Sequence, residues 1–202
     1  MLNADRTALL LFDFLEGHVE RDAATRSRYS PVIAAAARLL HAARSRGMMV
    51  AHACASHRPD NATSAHTLRD MDFGGRRRDP AEAPTFRPAV AGGDGSRIVA
   101  ALAPQPEDYL IPKYRWSAFF QTYLDLALRT RGVDTLILCG GSTEIGIAST
   151  AYAARDLDYN LVLARDACTS PSTATHEHLM DHVFPRLAWV RRTEEILRLL
   201  GE

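Results

Sequence analysis

The sequence is short of cysteine, of net charge and of long apolar runs, and each shortage removes a class of protein. Cys54, Cys139 and Cys168 are its three cysteines. Their number and spacing suit neither a disulfide framework nor a zinc site, and all three fall in or beside expected strands, as buried thiols do. Lysine plus arginine equals aspartate plus glutamate at 24 each, so no excess of one sign draws the chain to nucleic acid or to an anionic membrane. The expected partner is a small molecule or a second subunit. Hydrophobic residues make up 47% of the chain, yet no unbroken run is long enough to span a bilayer, and the first residues lead directly into a strand. A soluble, cytoplasmic protein is expected. Neither a linker-like tract nor an internal repeat divides the 202 residues, which read as one domain.

What is present is an alternation of short apolar runs with helical patterns. Strands are expected at 7–12, 48–54, 108–111, 136–139, 160–164 and 187–190, and helices at 31–46, 96–102, 117–130, 172–183 and 193–200, with another entered at 142 and running to about 155. Pro31 would open the first helix, Gly47 would close it, and Thr193 would cap the last. Strand and helix in turn, with right-handed crossovers, give an α/β fold: a three-layer α/β/α sandwich around a mostly parallel sheet.

One stretch organises the rest, 134–154, DTLILCGGSTEIGIASTAYAA. Its apolar run suits a strand buried on both faces. Gly140 and Gly141 permit a sharp turn off the sheet, and Ser142, Thr143 and Glu144 are residue types that satisfy the amides of a new helix. Gly146 lies in the first helical turn, where glycine weakens a helix by roughly 1 kcal/mol relative to alanine, so a role other than helix stability is expected there. Ligands of open α/β sheets bind beyond the carboxyl ends of the strands. Asp13 follows the first strand and Lys113 ends the third, and a carboxylate and a cation brought to one crevice would tune each other's proton affinity. A turn or cap role for Asp13 stands as an equal alternative on position alone.

The 56–96 stretch is the least regular, and a loop of that length is more often functional or part of a subunit contact than idle. For Arg76, Arg77 and Arg78 a solvated or interface surface is favoured over an anion clamp, and Arg58 and Arg87 share that ambiguity. His178 and His182 are spaced i,i+4, but HEHLMDH puts Met180 where the zincin pattern needs its second histidine counted from His176. A solvated helix face is expected. His52, His57 and His66 lack a carboxylate to complete a metal set, and no metal is expected. GGSTEIG is not a G-x-S-x-G elbow, and no G-x-G-x-x-G follows the first strand; no nucleotide or flavin cofactor is expected.

With ALLLFDF, PKYRWSAFF, GVDTLILCGGSTEIGIASTAYAARDLDY and LARDAC in order, the chain resembles the isochorismatase-like hydrolases, which include isochorismatases, nicotinamidases, N-carbamoylsarcosine amidase and ureidoacrylate amidohydrolase. The resemblance covers nearly the whole chain. It implies a six-stranded parallel sheet, assembly into dimers or tetramers, and no cofactor. Amide-cleaving members use an Asp, Lys, Cys triad, which would fall on Asp13, Lys113 and Gly146, so this chain lacks the nucleophilic cysteine. The resemblance also implies a cis peptide between Gly141 and Ser142 and oxyanion amides at Ser142 and Gly146. Isochorismatases likewise carry glycine there and hydrolyse a vinyl ether with the aspartate as general acid. That similarity favours the vinyl-ether route, with Lys113 as electrostatic partner, Gly146 leaving room for substrate or water, and Ser142, Trp116 and Phe120 as substrate-binding candidates. Departures are Leu15, Glu16, Gly17 and His18 after the first strand, Ser142 to Glu144 in place of Tyr-Ala-His, and Ala55 two residues before His57, where nicotinamidases carry a metal-binding aspartate. The alternative is an amidase relative that lost its cysteine and acts as a binding or assembly protein.

Overall fold

The computed structural model describes residues 1–60, 62–65 and 90–201. His66, Arg76, Arg77, Arg78 and Arg87 lie outside the described residues. Six strands, β1 (Thr7–Phe12), β2 (Met49–Ala55), β3 (Tyr109–Lys113), β4 (Thr135–Gly141), β5 (Asn160–Thr169) and β6 (Trp189–Arg191), form one sheet in the order β3-β2-β1-β4-β5-β6. Every pairing is parallel. All six residues of β1 are buried, as expected of a strand covered by helices on both faces.

The helices are α1 (Glu16–Val19), α2 (Ala23–Ser45), α3 (Leu124–Thr130), α4 (Ala148–Asp156), α5 (Thr173–His178) and α6 (Thr193–Leu199). Helix α2 lays Tyr29, Val32, Ala36, Leu39, Leu40 and Ala43 on the sheet at helical spacing and touches α6. The strand order runs left from β1 and right from β4, so right-handed crossovers put α2 and α4 on opposite faces.

Several boundaries differ from the sequence expectation, each for a local reason. Helix α2 begins at Ala23, because the Asp22 carboxylate accepts from the Thr25 amide at 2.7 Å and caps it. Pro31 is therefore inside the helix rather than at its start. The expected helix at 117–130 reduces to α3: Leu124 and Leu128 are buried, whereas Phe120 is 53% exposed and precedes the helix. The 96–102 segment is not a helix: one 3-10 turn ends at Ser96 (Asp94–Ser96) and another spans Ala100–Leu102. Strand β5 runs past Ala164 to Thr169, which places Asp166 inside it, accepting from the Thr193 amide and hydroxyl. Arg192, not Thr193, is the N-cap of α6, and the Glu195 carboxylate accepts from its amide. The helix entered at 142 and the later part of 172–183 both contain π-helical turns, Thr143–Ile147 and Leu179–Val183.

Candidate active site

The cleft lies where the strand order reverses, beyond the carboxyl ends of β1 and β4, the position at which open α/β sheets bind ligands. Its volume is about 330 Å³, and Asp13, Lys113, Ser142 and Gly146 all line it.

Asp13 follows β1 in a left-handed backbone conformation, φ 53°, that aspartate tolerates better than most residues. Its own amide still donates to Ala53 at 2.9 Å. Both carboxylate oxygens are engaged: Oδ1 accepts from the Ala55 amide at 2.8 Å, and Oδ2 from Lys113 Nζ at 2.6 Å. Lys113 arrives from β3, two inter-strand spacings away, roughly 9.5 Å. The intervening strand β2 presents Ala53 and Ala55 at this level, small residues over which a long side chain can cross. The pair is buried, Asp13 at 7% and Lys113 at 4% exposure. Lys113 is also the one lysine among the chain's 24 cationic residues. Its ammonium is a compact point charge, where a guanidinium would spread its charge over a planar fork.

Strand β4 ends at Gly140 and Gly141, and both glycines are required. A Cβ at Gly140, whose φ is 132°, would lie 2.9 Å from Phe12 Cβ, and one at Gly141 would lie 3.0 Å from Tyr29 Cζ. The Gly141–Ser142 peptide is cis. Gly146 differs from expectation. The space at its Cα is not open to substrate or water: a Cβ there would stand 2.5 Å from Phe12 Cζ and closer still to Cε1. The Phe12 ring fills the space that a side chain at position 146 would take, and Lys113 Nζ sits 4.3 Å from the same ring's centroid.

No thiol stands in for a nucleophile. Burial pushes Cys54 and Cys168 up to about 12 and Cys139 well above the ordinary thiol range, and Cys139 points back to the Leu10 carbonyl. Trp116 lines the cleft, although it is 61% exposed, whereas Phe120 is not among the described residues that line it. Arg58 is held by Asp60 at 2.6 Å on the surface. His178 and His182 are exposed as expected, but His176 is half-buried and shares a 2.9 Å hydrogen bond with the Thr143 hydroxyl. Among the described residues no three His, Cys, Asp or Glu side chains gather to hold a metal ion.

Sequence reasoning missed the other wall. His18, Arg21, Thr25, Arg28 and Tyr29 line the cleft. The last four are spaced i, i+4, i+7 and i+8, one face of the start of α2 and the residues leading into it. That periodicity and the Asp22 cap were the available signal. Arg28 is stacked over Tyr29 at 5.8 Å, and its buried Nε has no hydrogen-bond partner among the described residues. Tyr29 is raised to about 12, chiefly by burial and next by Asp13, and stays a neutral donor at pH 7.

Burial lowers the proton affinity of His18, His52, His57 and His176, and at His52 it outweighs the 3.3 Å contact with Asp108. The unfolded chain, with histidines near 6.5, then binds protons that the folded chain refuses. Stability is therefore full above about pH 7 and declines as pH falls through 6.5 toward the depressed folded values. The urea midpoint should be lower at pH 5.5 than at pH 7.5; equal midpoints would contradict this.

The fold and the site define a parallel α/β/α protein with a buried acid–amine pair at its strand ends. The chain belongs to the isochorismatase family: the Isochorismatase domain matches residues 7–195. The isochorismatase family protein YecD of Escherichia coli O157:H7 is 50% identical over 101 residues, 50% of this chain and 54% of YecD. The chain thus spans about half the length of that relative. The ureidoacrylate amidohydrolase RutB of Stutzerimonas stutzeri is 32% identical over 183 residues, covering 82% of this chain and 71% of RutB. An isochorismatase family protein structure from Burkholderia thailandensis superimposes with a TM-score of 0.83 at 29% identity, covering 100% of this chain and 98% of that one. The family includes hydrolases of differing small substrates.

Proposed function

We propose that this protein is a cofactor-independent hydrolase of a small anion and that it acts by acid-assisted addition of water to a vinyl ether. The observation that carries the reading is the Asp13–Lys113 pair at 2.6 Å facing a cleft in which Phe12 occupies the nucleophile's place beside Gly146. A covalent acyl-enzyme route has no attacking atom there, whereas proton delivery does have a donor. The proton lying between Lys113 Nζ and Asp13 Oδ2 passes from Asp13 to the terminal vinyl carbon. The resulting oxocarbenium ion adds water and collapses to a carbonyl compound and an alcohol. Ser142 and Trp116 border the substrate.

The cationic wall supports an anionic substrate. Asp13 offsets Lys113, and Asp22 lies 3.2 Å from Arg21, but no carboxylate among the described residues pairs with Arg28. The test is hydrolysis of isochorismate beside a panel of small amides. Turnover of the vinyl ether with Arg28→Gln raising KM about tenfold, the value of one charge-assisted contact, and leaving kcat within a few-fold supports both parts. Amide cleavage alone, or no turnover, sinks the vinyl-ether reading, and the latter favours a binding protein that keeps the scaffold.

A further inference from the structure

We propose that His18 is the base that takes a proton from the water adding to the substrate, so that the cleft handles protons from two sides. This rests on the hydrolase reading above. His18 sits on α1, a single turn held by its surroundings rather than by its own length. The Glu16 amide donates to the Arg97 carbonyl at 2.9 Å, the Val99 amide to the Phe14 carbonyl at 3.0 Å, and Leu15 bridges Ile98. Gly17 packs against Gly95 so closely that a Cβ on either would lie 3.0 Å from the other's Cα. The turn is fixed at the mouth of the cleft, and His18 lines that cleft together with Asp13, Lys113, Ser142 and Gly146.

The Asp13 backbone acts on the ring, and a neutral imidazole carries one N–H and one lone pair. The charged groups that act on His18 come from three elements: Asp13 after β1, Lys113 on β3 and Arg21 before α2. Burial is the largest influence and lowers its proton affinity, Asp13 opposes, and Lys113 and Arg21 reinforce. A neutral imidazole at pH 7 is the form a base requires.

The reaction closes on itself. As Asp13 protonates the vinyl carbon, the double-bond electron pair becomes the new C–H bond. Water oxygen then bonds to the adjacent cationic carbon while His18 takes one of its protons. In the hemiketal the bond from carbon to the leaving oxygen breaks, and that oxygen takes the proton from His18. The remaining hydroxyl returns its proton to the Asp13–Lys113 pair as the carbonyl forms. One water is consumed, and both groups end as they began.

The experiment is the pH profile of isochorismate hydrolysis by wild type, His18→Gln and His18→Ala, with folding of each checked by its melting curve. Loss of a general base costs about a hundredfold or more in kcat, with KM nearly unchanged. The wild-type rate should fall on the acid side as His18 protonates, that limb should vanish in His18→Gln, and added imidazole should restore part of the rate to His18→Ala. A His18→Gln enzyme within threefold of wild type, or one keeping the acid limb, overturns the role of His18 alone. Wild type without turnover overturns it together with the hydrolase reading.

Discussion

Asp13→Asn should remove most turnover and at the same time weaken the fold, and the second effect makes the first interpretable. Asparagine has the shape of aspartate and can still accept from the Ala55 amide, but it offers Lys113 no negative charge. Removing one partner of a buried ion pair costs on the order of 3–5 kcal/mol because the other charge is left buried. Removing the acid costs about a hundred- to ten-thousandfold in rate. Lys113→Met alone should destabilise similarly. The double variant should be destabilised by clearly less than the sum of the two, as coupled neighbours are. Urea titrations of the four proteins and kcat for each decide the matter. Additive stabilities would mean that the pair is not coupled in solution, and an active Asp13→Asn enzyme would remove Asp13 as the acid.

Gly146→Cys should not create an amidase. If the glycine were simply a lost nucleophile, putting the cysteine back would be nearly neutral for stability and would give a gain of function. Phe12 argues otherwise. Its ring is 1% exposed and lies within 3.0 Å of a Cβ at position 146 at three atoms, so it cannot swing into solvent. Overpacking of this kind costs about 1–3 kcal/mol, and the upper end is expected because Lys113 Nζ also crowds the ring at 4.3 Å from its centroid. Phe12→Leu should relieve the clash, so the double variant should recover more than about 1 kcal/mol relative to the sum of the single changes. Denaturation midpoints test this. A Gly146→Cys protein as stable as wild type would show that the ring yields freely. Amide cleavage by that single variant would return the chain to the amidases with one residue missing.

The parts of the site that were legible were those whose backbone position decides where the side chain goes. Asp13 follows the buried strand β1 and Lys113 ends the edge strand β3, and the carboxyl ends of parallel strands face one crevice whatever the details of packing. The glycines of the β4 turn were legible for the same reason. Phe12 was not, because a phenylalanine at the end of an apolar run reads as core, and only packing shows that its ring takes the space over Gly146. The cleft wall from α2 was hidden by Pro31, read as a helix start because proline is favoured there. Asp22 was the better cap, and beginning the helix at Ala23 brings Thr25, Arg28 and Tyr29 round to one face. The 117–130 stretch was legible only in part: read as one helix, it forms turns and bends before Leu124, and Phe120 stands among them.

The strand order also dictates when the site can exist. Asp13 directly follows the first strand, but β1 is completed on one side only when β4 docks, and the register joins Thr7 to Thr135 and Phe12 to Gly140. Contacts that close so much intervening chain are slow to form, since loop entropy is lost before they contribute. A growing polypeptide therefore carries its acid long before its amine, and both before the turn that floors the cleft. The two charges meet across β2, and the cleft around them is complete only with β4 seated beside β1.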